Sequence, residues 1–88
     1  MIQVKKFYAT WCGPCKMLTP IIEGVKQNHS DVQFENFDVD KDFEIAAKYS
    51  IRSVPTVIVE KDGVEVQRFA GLQGEMTYTN ALNELKSA

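Results

Sequence analysis

Trp11-Cys12-Gly13-Pro14-Cys15-Lys16 stands where the chain changes its period. Before it, Ile2–Tyr8 is short and β-prone and reads as a strand. After it, Met17, Leu18, Ile21, Ile22 and Val25 recur at helical spacing and are expected to form the core face of a helix. Pro14 suits the first turn of that helix, where a missing N–H leaves no bond unmade. Pro20 lies inside it and is expected to bend it. The two sulfurs then sit one turn apart at a strand-to-helix junction, within bonding reach of each other.

Working outward, Asn28, His29, Ser30 and Asp31 form a polar break, in which His29 is expected to be exposed. Residues 32–39 alternate through Val32, Phe34, Phe37 and Val39 with one phase slip and read as a second strand. Asp40 or Asp42 is placed to cap a short helix carrying Phe43, Ile45, Ala46, Ala47 and Tyr49. Residues 56–59 are β-branched throughout, Asp62-Gly63 signals a hairpin, and residues 64–69 supply the returning strand. Tyr78, Ala81, Leu82 and Leu85 mark a last amphipathic helix. The order β-α-β-α-β-β-α predicts one α/β domain over residues 1–88. It should be a four-stranded mixed sheet flanked by three helices, with a parallel crossover first and an antiparallel hairpin last.

Composition narrows the function. An apolar share of 44% in 88 residues permits one core and no second domain. A net charge of -2 with both signs scattered argues against a nucleic-acid partner. No run approaches the roughly 18 apolar residues of a membrane span. Residues 1–6 carry no leader pattern, so the protein is expected to stay where it is made, in the cytoplasm.

Two cysteines in such a chain point to redox or metal chemistry rather than a disulfide framework. Zinc usually takes four ligands, and only His29 remains among soft donors beside Cys12 and Cys15. Asp38, Asp40, Asp42 and Glu44 alternate like the start of a calcium loop. That reading fails, because Phe43 stands at the glycine position and Tyr49 at the closing glutamate.

Redox chemistry remains. Cys12 at a helix N-terminus meets free N–H groups and the positive end of the dipole, which favour its thiolate, the nucleophilic form. A free thiol with a pKa of about 8.5 is roughly 3% ionised at pH 7. One brought to about 7 is half ionised, a shift worth about 2 kcal/mol. Cys12 is then expected to attack a disulfide. Cys15, one turn inward and less exposed, should resolve the mixed disulfide. Gly13 leaves room for the substrate, Pro14 stiffens the turn and Trp11 offers an apolar wall.

At these residues the chain resembles the thioredoxin family, whose active-site motif Trp-Cys-Gly-Pro-Cys-Lys is present without a mismatch. The pKa of about 7 used above is the family's own value. The likeness runs through nearly the whole chain. Pro20 matches the family's helix proline, Val54-Pro55-Thr56 its cis-proline segment, Lys61-Asp62-Gly63 its hairpin turn and Gly71 its groove glycine. The resemblance implies a thioredoxin-like fold and a substrate groove made by Trp11, Gly13, Pro14, Val39, Val54, Pro55, Ala70 and Gly71. It implies no cofactor beyond the Cys12–Cys15 disulfide and no metal. It implies a monomer acting on protein disulfides, with ribonucleotide reductase one acceptor and a thioredoxin-reductase-like flavoenzyme the donor.

Two departures from the family stand out. The extra strand and helix that open the full family are missing before Ile2, which should uncover one sheet face, and Lys5 fits such a face. The family's buried acid, six positions before the first cysteine, is Lys6, and its usual charged neighbour on the next strand corresponds to Asn36. A neutral Lys6 would serve as a base, a charged one would lower the thiol pKa values, and one that snorkels to solvent would do neither. The rival readings are a glutaredoxin-like enzyme fed by glutathione and a non-enzymatic binding subunit of the same fold. The Gly-Pro between the cysteines argues against the first, and the intact thiol pair against the second.

Overall fold

The computed structural model describes residues 1–87. Its elements run β1 Ile2–Tyr8, α1 Gly13–Gln27, β2 Gln33–Asp38, α2 Phe43–Lys48, β3 Thr56–Lys61, β4 Val64–Ala70 and α3 Glu75–Ser87. The sheet order is β2-β1-β3-β4, with β1 parallel to β2 and antiparallel to β3, and with β3 and β4 forming the hairpin. This is the predicted architecture, with strand ends moved by one or two residues. The most buried strands, β1 and β3, form the centre of the sheet, while β2 and β4 are its largely exposed edges.

α1 and α3 cover one face. Leu18, Ile22 and Val25 of α1 meet Tyr78 and Leu82 of α3 over Val4, Val57 and Val59. α2 covers part of the other, where Ala46 packs on Phe7 and Ile58. This division explains the phase slip in β2: Phe34 joins the first cluster and Phe37 the second, so the strand is apolar on both faces.

Two expectations fail here. Met17 is 61% exposed and not core. The buried face of α1 runs through Cys15, Leu18, Ile22 and Val25, which turns Met17 outward. His29 is 4% exposed rather than free in solvent. The end of α3 lies over it, with Lys86 Nζ 2.7 Å from His29 Nδ1 and 2.7 Å from Asp31 Oδ1. A contact across 57 residues is invisible to local polarity.

Burial first, and the Lys86 cation second, push the His29 pKa below its ordinary value, while Asp31 opposes them. The unfolded chain therefore takes up the proton more readily than the folded one. Stability is full above the unfolded imidazole pKa of about 6.5 and falls as the pH drops through the lower folded value. The urea midpoint should fall between pH 7 and pH 5, and His29→Gln should flatten that fall. An equal fall in both proteins would show that His29 is not the group responsible.

A third expectation fails at Lys5, which lies on the α2 face and is 8% exposed rather than on an uncovered one. Its Nζ sits 2.9 Å from Glu35 Oε1 and 3.5 Å from Glu60 Oε1. Tyr49 donates its hydroxyl to the other Glu60 oxygen. Burial acts to depress the Lys5 pKa, yet its hydrogen bond to Glu35 and the charges of Glu35 and Glu60 outweigh this and hold it above the ordinary lysine value. A buried carboxylate such as Glu60, 5% exposed, is tolerated only when paired in this way.

Candidate active site

β1 delivers the site. Its last residue leads into Ala9, which is 1% exposed and whose carbonyl accepts the Cys12 N–H at 3.2 Å. The chain turns there and α1 begins. Cys12 is the N-cap, with extended backbone angles of φ -88 and ψ 113, and Pro14 occupies the first turn. The Cys12 Sγ accepts the N–H of Cys15 at 3.2 Å, the bond a cap makes with the start of its helix. The two cysteines are joined as a disulfide, with Cα atoms 5.3 Å apart.

Exposure does not separate the two cysteines, since each is 4% exposed. The expectation that Cys15 is the more hidden is therefore corrected. In the bonded pair the sulfurs cover each other, and Ala9, Tyr8, Val39 and Val54 close around both. Their positions differ instead. Cys12 caps the helix, while Cys15 forms part of the wall of a cavity of about 260 Å3 with Tyr8, Ala9, Thr10, Lys16 and Thr19.

Trp11 is 70% exposed, and its indole N–H donates to Asp40 Oδ2 at 2.9 Å. With Val39, Ile51, Arg52, Ser53 and Val54 it lines a second pocket, of about 180 Å3. The Val54-Pro55 peptide is cis, as the resemblance implies. Gly71 N–H donates to the Pro55 carbonyl at 2.8 Å and ties the end of β4 to this segment. Gly71 has φ +87, a conformation that a side chain strains. Gly13 faces open space, and Pro14 is exposed beside it. Neither of these two lines the pocket, nor do Pro55, Ala70 and Gly71; Pro55 is buried and Ala70 exposed. The sequence reading missed Asp40 as the anchor of Trp11 and missed Ile51, Arg52 and Ser53 as pocket walls. Their only sequence signal was closeness to Val54.

Lys6 points to the α1 side of the sheet and is 7% exposed, so the solvent-reaching option does not hold. Its Nζ donates to Thr19 Oγ1 at 3.5 Å and lies 5.6 Å from the centre of the Tyr8 ring. The Thr19 hydroxyl donates in turn to the Cys15 carbonyl at 3.3 Å. Burial lowers the Lys6 pKa, and the Glu23 carboxylate opposes this. Asn36 lies opposite Lys6 in the sheet register, as the resemblance implies.

A concavity of about 540 Å3 lies away from the dithiol among Lys48, Tyr49, Glu60 and Arg68, and no cysteine lines it. Among the described residues no group of three or more His, Cys, Asp or Glu is placed to hold a metal. No helix among them is long and apolar enough to cross a membrane.

Comparison with known proteins gives a consistent picture. The thioredoxin family model matches residues 2–84. A thioredoxin of Chlamydia pneumoniae is 41% identical over 78 residues, covering 89% of this chain and 76% of its own. Thioredoxin-2 of Saccharomyces cerevisiae is 47% identical over 68 residues, covering 77% of this chain and 65% of its own. The crystal structure of thioredoxin from Trypanosoma brucei brucei superposes with a TM-score of 0.93 at 26% identity, over 100% of this chain and 77% of that one. Oxidised mitochondrial thioredoxin 3 of Saccharomyces cerevisiae superposes with a TM-score of 0.87 at 34% identity, over 94% of this chain and 77% of that one. The chain thus spans about two thirds to three quarters of these relatives. Since both the sequence match and the superposition pass through the capped cysteine pair, the chain belongs to the thioredoxin family of thiol–disulfide oxidoreductases.

Proposed function

We propose that the protein is a general reductant of protein disulfides in the cytoplasm, with Cys12 as nucleophile and Cys15 as resolving thiol. The observation that carries this reading is the Cys12 Sγ at the N-cap of α1, accepting the Cys15 N–H. Once the pair is reduced, the same N–H and the helix dipole favour a thiolate on Cys12. That thiolate attacks one sulfur of a substrate disulfide, and the other substrate sulfur leaves and takes up a proton. Cys15 then loses its proton and attacks Cys12. The second substrate thiol is released, and two electrons have passed from the Cys12–Cys15 dithiol to the substrate. The substrate segment lies along Trp11, Gly13, Pro14, Val54, Pro55 and Gly71, where the Val54 backbone offers an edge for strand pairing.

A thioredoxin-reductase-like flavoenzyme resets the disulfide to the dithiol, and ribonucleotide reductase is one acceptor. The protein works as a monomer. Reduction of insulin disulfides tests the reading: turnover with the flavoenzyme as donor supports it, and no gain over the donor alone ends it. Efficient turnover with glutathione instead would favour the glutaredoxin-like alternative. The reduction potential of the pair adds a second check. A value near the roughly -270 mV of a reductant fits, while one near the -120 mV of a disulfide donor reverses the direction of the reaction.

Lys6 tunes the pair as a fixed cation. Its ammonium is linked to the Cys15 carbonyl through Thr19, and a positive charge there favours loss of the Cys15 proton. Lys6→Gln should raise the pH midpoint for release of a thiol bound to Cys12 as a mixed disulfide. Lys6→Arg should restore that midpoint. A midpoint unmoved in Lys6→Gln would leave the residue a purely structural part.

A further inference from the structure

The cavity of about 260 Å3 beside Cys15 carries positive charge with nothing to balance it. No carboxylate lines it, while Lys16 and the hydroxyl-bearing Thr10 and Thr19 do. A second ammonium stands behind its wall. Lys6 Nζ donates to Thr19 Oγ1 at 3.5 Å and lies 5.6 Å from the centre of the Tyr8 ring, and both of those residues are cavity walls. Lys6 is 7% exposed, yet it enters no ion pair among the described residues, whereas the equally buried Lys5 has two carboxylates. Its bond to Thr19 is long and goes to a neutral oxygen. Glu23, the carboxylate that acts on Lys6, is exposed and does so only through its charge.

A buried ammonium without a counter-ion is costly, and an anion brought within reach offsets that cost. Burial already pulls the Lys6 pKa below its ordinary value, as expected of a charge held without a partner. Two cations and no lining carboxylate match a dianion better than a single carboxylate, and a lysine head is a point charge suited to phosphate. We propose that this cavity is a phosphate-binding site on the Cys15 side of the dithiol, taking inorganic phosphate or the phosphate group of a small monoester. Thr10 and Lys16 offer donors to the oxygens, and Lys6 supplies the buried countercharge across Thr19. The bound dianion also opposes negative charge on the sulfurs, so it binds the disulfide form more tightly than the reduced form. By reciprocity, phosphate then holds the pair oxidised. This redox coupling rests on the reductase reading above, with its thiolate on Cys12; binding to the oxidised protein does not.

The test titrates the oxidised protein with inorganic phosphate at about pH 8, where phosphate is largely a dianion, and at fixed ionic strength. Backbone amide shifts are followed by NMR, and saturable changes should centre on Thr10, Lys16 and Thr19. Methyl phosphate, titrated in the same way, separates the two sources. Equal affinity assigns the site to phosphate esters and much weaker affinity assigns it to the free ion, and either result upholds it. Lys6→Gln should weaken binding about tenfold, the usual effect of losing one charged partner, and Lys6→Arg should restore it. Lys16→Gln changes an exposed side chain, so it should keep the fold and weaken binding by about twofold to threefold. No saturation in the oxidised protein, or unchanged affinity in both glutamine variants, would overturn the site. The reduced protein should bind several-fold more weakly, and equal affinity would overturn the redox coupling. None of these readouts uses turnover, so loss of insulin reduction would remove the reductase reading and leave the binding result intact.

Discussion

Cys12→Ser is expected to abolish turnover, while Cys15→Ser should complete one attack and stop at the mixed disulfide. A hydroxyl at position 12 still fits the N-cap and can still accept the Cys15 N–H, so the fold should survive. A serine hydroxyl does not ionise near neutral pH as a thiol does and cannot exchange with a disulfide. The loss is therefore chemical and complete. In Cys15→Ser the capping sulfur remains and attack proceeds, but nothing follows to displace the bound substrate. Intact-protein mass spectrometry after mixing with a disulfide substrate reads the difference directly. A covalent adduct should accumulate in Cys15→Ser and be absent from Cys12→Ser. An adduct forming in Cys12→Ser instead would exchange the two roles. That outcome deserves the measurement, because both cysteines are equally hidden in the bonded pair.

Phe7→Ala should destabilise the protein by about 3–5 kcal/mol, the usual cost of emptying a phenylalanine site in a core. Phe7 is fully buried, with its ring 5.2 Å from that of Phe37 and 5.6 Å from that of Tyr49. It is the largest fully buried residue of the cluster that holds α2 to the sheet, and the rest of that cluster is mostly half-buried. α2 spans six residues and has no side-chain bond at its N-cap Asp42, so it depends on this packing. A domain of this size has roughly 4–13 kcal/mol of stability in all, at 0.05–0.15 kcal/mol per residue. The variant should lose a large share of it, read as a lower urea midpoint. A loss under about 1 kcal/mol would mean that the site collapses freely, and that α2 is held by something other than Phe7.

The elements were largely legible because each carries its own period. Helical spacing after Pro14, β-branching at residues 56–59 and the Asp62-Gly63 turn are local statements, and the folded chain honours them. The cap was legible for the same reason, since Cys12 lies just before the proline that opens the helix. Met17 misled because an apolar residue at nearly the right spacing counts as core until the true face of the helix is known. His29 misled because its cover comes from α3, far along the chain. Arg52 gave no sign at all, because a charged loop residue looks alike in solvent and in a pocket wall.

Sequence alone determined the order of the elements, the junction that puts a sulfur at the start of a helix, and the membership of that junction in a known motif. These depend on neighbours within a few residues, where backbone preference and side-chain period act directly. Tertiary structure alone decided that Lys5 is paired with Glu60, that Lys6 reaches Thr19 and not solvent, and that Trp11, Arg52 and Val54 share one pocket. The physical reason is range. Burial and ion pairing are set by which strands and helices meet, and that meeting is settled by the packing of the whole chain.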